Sequence, residues 1–336
     1  MSTNTVSKAQ KEVFNEAVRG LVDSSVFTGV TSYGGGGGGP SFSFQGSNFG
    51  YTAGGYTGAA ASNVIQKFSF TSDGNATDVG DLLGSTYNTS SLANSPTYGY
   101  LAGGYDDPLG PVGGLNVIQK FSFSVDGNST DVGDLSTTRF WQAGQSSGEY
   151  GYSSGGRGGS PTADTNTIEK YSMTVDENAT DVGDLTVTRR DLTGQSSSSN
   201  GYSSGGAGTS NVIDKFPFAT DTNATDVGDL TTAKESLAGQ SSSTHGYTSG
   251  GNAPPLSNVI DKFPFAADAN ATDVGDLLVS VNFLTGVSST ASGYNAGGTA
   301  PAYQNVIQKF PFSSDTNSTD VGDLTSTMAR FGGTQN

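Results

Sequence analysis

Residues 63–82 read NVIQKFSFTSDGNATDVGDL, and this stretch decides the fold. It contains two motifs, N-x-I-x-K-[FY] and T-D-V-G-D-L, separated by a segment of Ser, Asp, Gly and Asn. The first motif is rich in β-branched and aromatic residues, which predicts a β-strand. The intervening residues are turn formers, and the glycine of the second motif is typical of a bulged strand. The stretch therefore predicts two short antiparallel strands joined by a tight turn.

The same stretch occurs six times along the chain. The first motif begins at Asn63, Asn116, Asn166, Asn211, Asn258 and Asn305. T-D-V-G-D-L follows each copy, and a third motif, G-Y-x-[AS]-G-G, precedes each copy. A third strand in G-Y-x-x and a fourth in the Ser/Gly-rich stretch before it, such as residues 192–196, give four strands per unit. Four strands in a unit of 45 to 53 residues is the pattern of a propeller blade. We predict an all-β, six-bladed β-propeller of four-stranded antiparallel blades over residues 41–336.

The units resemble kelch repeats. The family's marks are a double glycine after an aromatic strand, a spaced aromatic in the next strand and a late arginine, here Tyr152, Gly155, Gly156, Tyr171 and Arg139 or Arg189. Valine stands where the family usually has tryptophan, as at Val182, so these units are divergent. The resemblance implies the fold. It does not bring the copper-oxidase activity of some kelch proteins, because that site needs several histidines and a cysteine.

The end of the chain predicts how the ring of blades closes. Residues 324–333 match the stretch between units, and the chain ends before the next G-Y. We favour a C-terminal strand that completes the first blade. The alternative is a local N-terminal strand at residues 41–45. Either strand would leave no exposed sheet edge in the closed ring.

Residues 1–40 lie outside the repeats. Phe14, Val18 and Leu21 have helical spacing, which predicts a helix over about residues 8–22. A run of six glycines follows and is interpreted as a flexible tether. A short amphipathic helix is marginal alone in water and needs a partner for its apolar face. That partner is either the propeller's own surface or a larger assembly, and we favour an anchor that docks or oligomerises the protein through these three residues.

Charge and composition exclude several classes of function. The chain has 15 Lys and Arg against 31 Asp and Glu, a net charge of −16. Nucleic-acid binders need clustered basic residues, so DNA and RNA are not expected partners. The absence of cysteine excludes disulfides and thiolate metal sites. No apolar run is long enough to span a membrane, and the first residues have no signal-peptide core.

The sequence offers no residues for catalysis. His245 is the single histidine and stands in a variable stretch, so no Ser-His-Asp or Cys-His system can be assembled. We predict no enzyme activity, no cofactor and no metal. Each unit has a D-x-N-x-T-D turn that resembles half a calcium loop, but the bidentate glutamate is missing. We favour local capping of the hairpin, and interpret the N-[AS]-T sequons in these turns as turn chemistry.

One lysine recurs in the first motif of every unit. The six are Lys67, Lys120, Lys170, Lys215, Lys262 and Lys309. A lysine on a central strand needs a partner for its charge. We predict that each pairs with an aspartate of the neighbouring strand in its own blade, such as Asp81 or Asp184.

Loop lengths indicate where a ligand would bind. The stretch between Gly-Gly and the next Asn has 7, 11, 9, 4, 6 and 6 residues, whereas the stretch from T-D-V-G-D-L to the next G-Y has 15 or 16. Function on a rigid scaffold usually lies in variable loops, although neutral drift gives the same pattern. Alternating strands place these loops on one rim and the Asp-rich turns on the other. The predicted binding residues on the variable rim are Tyr56, Tyr105, Asp106, Asp107, Arg157 and Tyr303.

These observations favour binding over catalysis. The Cys-free, Lys-poor composition and near-identical N-A-T-D-V-G-D-L units resemble appendage proteins of bacteriophages. That resemblance implies a virion structural and adhesion protein, anchored to other virion proteins by its N-terminal helix and displaying the propeller to a host-surface glycan or protein. The alternatives are a cytoplasmic kelch-type scaffold for another protein, a sugar-active or oxidative enzyme, and a bacterial surface protein.

Overall fold

A computed structural model describes residues 44–89, 92–106, 114–208 and 210–336. Within these ranges the regular structure is entirely β, and the predicted helix with Phe14, Val18 and Leu21 lies outside them. The repeated unit is a four-stranded antiparallel sheet, an architecture that fits a β-propeller. Six such sheets occur in the described ranges, one for each copy of the repeat.

Each sheet has an inner, a second, a third and an outer strand, and adjacent strands pair antiparallel. The inner strands are Gly332–Gln335, Ala93–Asn94, Ala143–Ser146, Thr193–Ser196, Ala238–Ser241 and Thr285–Ser288. The second strands are Phe49–Ala53, Tyr98–Ala102, Tyr150–Ser154, Asn200–Ser204, His245–Ser249 and Ser292–Ala296. The third strands are Val64–Ser69, Val117–Ser122, Thr167–Ser172, Val212–Pro217, Val259–Pro264 and Val306–Pro311. The outer strands are Thr77–Asp81, Thr130–Asp134, Thr180–Asp184, Thr225–Asp229, Thr272–Asp276 and Thr319–Asp323.

Short strands add to two of the connections. Arg139–Phe140, Arg157–Gly158 and Ala163–Asp164 form a three-stranded sheet beside the third repeat. Thr299–Ala300 and Ala302–Tyr303 form a hairpin in the sixth. Apart from Arg139–Phe140, which precedes the inner strand of the third sheet, these short strands lie in loops that follow the Gly-Gly pairs. We call the end of the sheets that carries these loops the loop face, and the opposite end, which carries the D-x-N turns, the turn face.

The sequence motifs pack the sheets against one another. Tyr51 of the first sheet is buried against Phe121 and Phe123 of the second, with ring centroids 5.7 and 4.9 Å apart. The glycine of G-Y makes room for a ring of its own sheet, since a Cβ on Gly50 would lie 2.5 Å from the ring of Phe68. Aromatic residues of neighbouring sheets therefore interdigitate, and their burial supplies the apolar stabilisation of this Gly- and Ser-rich chain.

The C-terminal strand completes the first sheet, as the sequence predicts. Gly332–Gln335 pairs antiparallel with Phe49–Ala53, in a register that joins Tyr51 to Thr334. The competing segment is not a strand in its described part. Phe44 and Gln45 instead lead into Gly46, which bridges to Ser289 of the sixth sheet.

The predicted lysine pairing within one blade is wrong. Lys67 binds Asp126 of the next sheet, with 2.6 Å between Nζ and Oδ1. The same link joins each sheet to the next around the whole set, in the pairs Lys67–Asp126, Lys120–Asp176, Lys170–Asp221, Lys215–Asp268, Lys262–Asp315 and Lys309–Asp73. The lysine side chain lies on the strand surface that faces the neighbouring sheet, so its partner is the first aspartate of that sheet's D-x-N turn.

The D-x-N turns join neighbouring sheets rather than only capping their own hairpins. Asn128 Oδ1 accepts a hydrogen bond from the backbone N–H of Asp81 in the preceding sheet, at 3.0 Å. The glycine of V-G-D lies against the same turn, because a Cβ on Gly80 would come within 2.2 Å of the carbonyl oxygen of Gly127. Aspartate, asparagine and glycine therefore recur because each makes one inter-sheet contact.

Two buried positions covary among the repeats. One precedes the inner strand of each sheet, and the other lies on the third strand of the same sheet. Arg139 binds Glu169, and Arg189 binds Asp214, with N–O distances of 3.0 and 2.9 Å. Lys234 and Asp261 form a third fully buried ion pair. In the other three repeats both positions are uncharged, in the pairs Thr86–Gln119, Val281–Gln308 and Met328–Gln66. A cation at the first position thus always has an anion at the second, as burial of charge requires.

Candidate functional site

A closed circle of backbone hydrogen bonds lies at the loop-face end of the inner strands. Each repeat contributes one residue, whose N–H donates to the carbonyl oxygen of the equivalent residue in the preceding sheet at 2.8–2.9 Å. The circle returns to its start, because Asn88 donates to Arg330. We call these the ring residues: Asn88, Trp141, Asp191, Ser236, Phe283 and Arg330.

The ring residues share a backbone conformation that disfavours side chains. Their φ values lie between 55° and 63°, and they are the only non-glycine residues with positive φ in the described ranges. Glycine adopts this conformation freely, whereas other residues cost about 1 kcal/mol or more. Every other described residue with positive φ is glycine, in a chain with 50 glycines. The six side chains are therefore kept at a cost in stability, and all six differ.

An aromatic row runs across the loop face into this ring. Tyr303, Tyr56, Tyr87, Tyr105, Phe140 and Trp141 follow one another with centroids 4.8–6.2 Å apart. Backbone pairing fixes the row, since Tyr87 and Tyr105 exchange N–H···O bonds of 3.0 and 2.8 Å. The row includes Tyr56, Tyr105 and Tyr303 of the predicted rim, so residues distant in sequence form one surface.

Arginines border the aromatic row. Arg157 and Arg190 bind the two oxygens of Asp164 at 3.0 and 2.7 Å. Arg190 also lies over the ring of Trp141, with its guanidinium carbon 5.6 Å from the centroid. The three-stranded sheet holds this cluster, because Arg157 pairs in register with Asp164. Arg157 is thus both a predicted residue and part of the site.

Aromatic and charged side chains together line an open cavity of about 530 Å³. We call it the loop-face cleft; it is lined by Tyr87, Asn88, Tyr105, Phe140, Trp141, Arg157, Thr162, Arg190 and Arg330. Its volume falls in the range of pockets for small ligands. The smaller space at the centre of the ring is lined by the ring residues themselves, so the two spaces share Asn88, Trp141 and Arg330.

Asp191 is the ring residue that carries a carboxyl group, and the pKa of that group is strongly raised. Burial, and after it the charge of Glu235, raises its pKa from 3.8 to about 7, against the opposing effect of Arg190 and Arg330. A substantial share of Asp191 is therefore protonated near neutral pH. In that form it donates a hydrogen bond as well as accepting one.

The remaining predicted rim residues have different positions. Asp106 is half-buried beside Tyr105, and Asp107 lies outside the described residues. Sequence reasoning missed Tyr87, Phe140, Trp141, Arg190 and Arg330. They belong to the stretch of constant length, where comparison of loop lengths has no signal. They occupy the fifth and sixth positions after the leucine of T-D-V-G-D-L. The residue type at each of these two positions differs among all six repeats, so a position-by-position comparison of the repeats identifies them.

Other residues line the opposite end of the axis. Phe44 and Leu92 are buried and line the space among the inner strands on the turn-face side. Gln335 Nε2 donates to the carbonyl oxygen of Phe44, and Gly46 donates to that of Ser288. The chain therefore joins the sheets at the turn face, away from the cleft.

Neither a metal site nor a membrane-spanning helix is present in the described residues. Among the residues described, no group of three or more His, Asp or Glu side chains is arranged to hold a metal ion. In the same ranges no helix has the length and apolar character needed to cross a membrane. His245 lies on the turn-face end of its strand, where Nδ1 contacts Thr244 Oγ1 at 2.9 Å. No protein-family model and no curated protein matches this chain.

Proposed function

We propose that this protein is a non-enzymatic binding protein, a closed six-bladed kelch-like propeller that holds saccharide chains in its loop-face cleft. The observation that carries the proposal is the set of ring residues. Six different non-glycine side chains occupy positions where glycine would be more stable. Selection for stability alone does not retain them, whereas selection for contact with a ligand does.

The number of blades rests on the closed circle. Six sheets are joined in sequence by lysine–aspartate pairs, and Lys309–Asp73 links the last to the first. The circle of ring residues has the same six members and closes on itself. A six-bladed ring explains both sets of contacts without an open sheet edge between the first and last repeats.

The chemistry of the cleft favours a saccharide. Sugar rings present C–H faces that pack on aromatic rings, and hydroxyl edges that need donors and acceptors. Four rings of the aromatic row line the cleft and supply the first, and Arg157 and Arg190, which are held by Asp164, supply the second. The row continues beyond the cleft to Tyr56 and Tyr303, which lengthens the aromatic surface available to a chain of sugars.

The arrangement of the two faces suits display. Phe44 joins the sheets at the turn face. The first described residue therefore lies on the face opposite the loop-face cleft. This supports the role of a virion structural and adhesion protein that binds a host-surface glycan, held to other virion proteins by its N-terminal segment.

The sole tryptophan provides a direct test. Trp141 lines the cleft, so its intrinsic fluorescence reports on ligand binding there. We expect a glycan array to give binders, and the best of them to shift or quench this fluorescence saturably. Trp141→Ala should abolish array binding, whereas Tyr98→Ala, a matched aromatic change on the turn face, should leave it unchanged.

Two results would contradict the proposal. A silent array would argue against saccharides, and capture of a cytosolic protein through the cleft would favour the intracellular kelch scaffold instead. Equal loss of binding in Trp141→Ala and Tyr98→Ala would place the site elsewhere.

A further inference from the structure

The charges of the loop-face cleft do not balance. Arg157 and Arg190 share the carboxylate of Asp164. Arg330 also lines the cleft, and no carboxylate in the described part of the chain lies within 4.0 Å of its guanidinium. The chain as a whole carries a net charge of −16, so an uncompensated cation in its cleft runs against the overall composition.

Arg330 is held in place by its surroundings. Its backbone belongs to the hydrogen-bonded ring, with bonds of 2.8 Å to Phe283 and from Asn88. Its guanidinium carbon lies 4.1 Å from the centroid of the Phe283 ring, a cation–π contact, and the guanidinium N–H groups donate no hydrogen bond to another described residue. The side chain is only partly exposed. A partly desolvated guanidinium with a fixed orientation is preorganised for a planar anion.

Asp191, the acid among the ring residues, compensates this charge only in part and without direct contact. Asp191 is buried, and burial followed by the charge of Glu235 raises its pKa to about 7. Its contact is with Arg190 Nε, at 3.4 Å from Oδ2. Near neutral pH the ring therefore holds an unpaired cation beside a carboxyl group that is partly protonated.

We infer that the saccharide bound in the loop-face cleft is acidic, and that its carboxylate pairs with the guanidinium of Arg330. The inference rests on the proposed function. A bidentate guanidinium–carboxylate pair uses these guanidinium N–H groups of Arg330. The sugar ring that carries the carboxylate then lies against Trp141, which borders the same space. A hexuronate and a sialate share this chemistry, and the experiment separates them.

The test compares ligands that differ only in charge, with the wild-type protein. Trp141 fluorescence is titrated with oligogalacturonate, with its methyl ester and with neutral oligogalactose; sialyllactose is compared with lactose. We expect at least one acidic ligand to bind about 10- to 100-fold more tightly than its neutral counterpart, as for a charge-assisted hydrogen-bonded pair. Because the protein is unchanged, this comparison does not depend on a variant that folds.

Variants then assign the effect to one residue. Arg330→Gln should remove the preference for the acid, so that the acidic ligand and its neutral counterpart bind with similar affinity. Arg330→Lys should retain part of the preference, and Lys215→Gln on the turn face should retain all of it.

The outcomes separate the two proposals. Equal affinity for acidic and neutral ligands would overturn this inference and leave the proposed function standing. A preference for the acid that persists in Arg330→Gln would also overturn it. Absence of binding to every saccharide would overturn both.

Discussion

Replacement of a charged buried pair by its uncharged counterpart from another repeat should restore stability that either single change removes. Arg189 Nη2 binds Asp214 Oδ2 at 2.9 Å, and both side chains are almost fully buried. The carboxylate also accepts bonds from the N–H and hydroxyl of Thr186, at 3.1 and 2.7 Å. In the first repeat, Gln66 Oε1 accepts the same two bonds from Thr325, and its amide contacts Met328 Sδ.

The magnitudes follow from this comparison. Arg189→Met leaves a buried carboxylate without its cation, and Asp214→Gln leaves a buried guanidinium without its anion. Each should lower the free energy of unfolding by about 3–5 kcal/mol. The double variant has the Met–Gln pair of the first repeat, which keeps both bonds to Thr186 and buries no charge. We expect it to lie within about 1.5 kcal/mol of the wild type, since such replacements are often neutral.

Urea unfolding monitored by circular dichroism at pH 7 measures all four proteins of this cycle. The coupling energy between the two positions should be at least about 4 kcal/mol. Costs below about 1 kcal/mol for the single variants, or a double variant whose cost equals their sum, would refute the reasoning. The reverse transplant, Gln66→Asp with Met328→Arg, is the control, and it should be tolerated far better than Met328→Arg alone.

Two further predictions concern the ring and the inter-sheet contacts. Asp191→Asn should raise stability at pH 8 and leave it unchanged at pH 4. The pKa of Asp191 in the folded protein is raised from 3.8 to about 7. The wild type therefore loses stability as the pH rises through this window, by at most ~4 kcal/mol. Thermal melts at the two pH values check this, and an equal shift at both would contradict it. Gly228→Ala should cost about 2 kcal/mol or more, because its Cβ would lie 2.5 Å from the carbonyl oxygen of Ala269. Lys215→Gln, which breaks a partly exposed ion pair at the same interface, should cost less than about 1 kcal/mol in the same urea assay; the opposite order would show that the ion pairs dominate the contact between sheets.

The repeat made the fold predictable because each motif has one structural task that recurs in every sheet. Strand order, the closing C-terminal strand and the two faces all follow from it. The predicted partner of the lysine is wrong because the prediction places the ion pair on two strands that follow one another in the sequence. Lys67 and Asp126 are 59 residues apart, and only the packing of one sheet on the next brings them together.

The site was predicted in part, for a related physical reason. Loop length locates Tyr56, Tyr105, Arg157 and Tyr303, because insertion changes the number of residues. Trp141 and Arg330 vary by substitution alone, at a position whose importance depends on a left-handed backbone conformation. Neither the composition nor the periodicity of the sequence reports that conformation for a tryptophan or an arginine.

The circle of paired backbone groups has an evolutionary consequence. At the ring residues the backbone groups hydrogen bond to one another, so the circle forms without any contribution from the six side chains that project from it. Under the proposed function, new ligand preferences can arise there by point substitution, without the insertions and deletions that remodel a loop. Descendants of this chain could therefore change their ligands while the hydrogen-bonded framework stays the same.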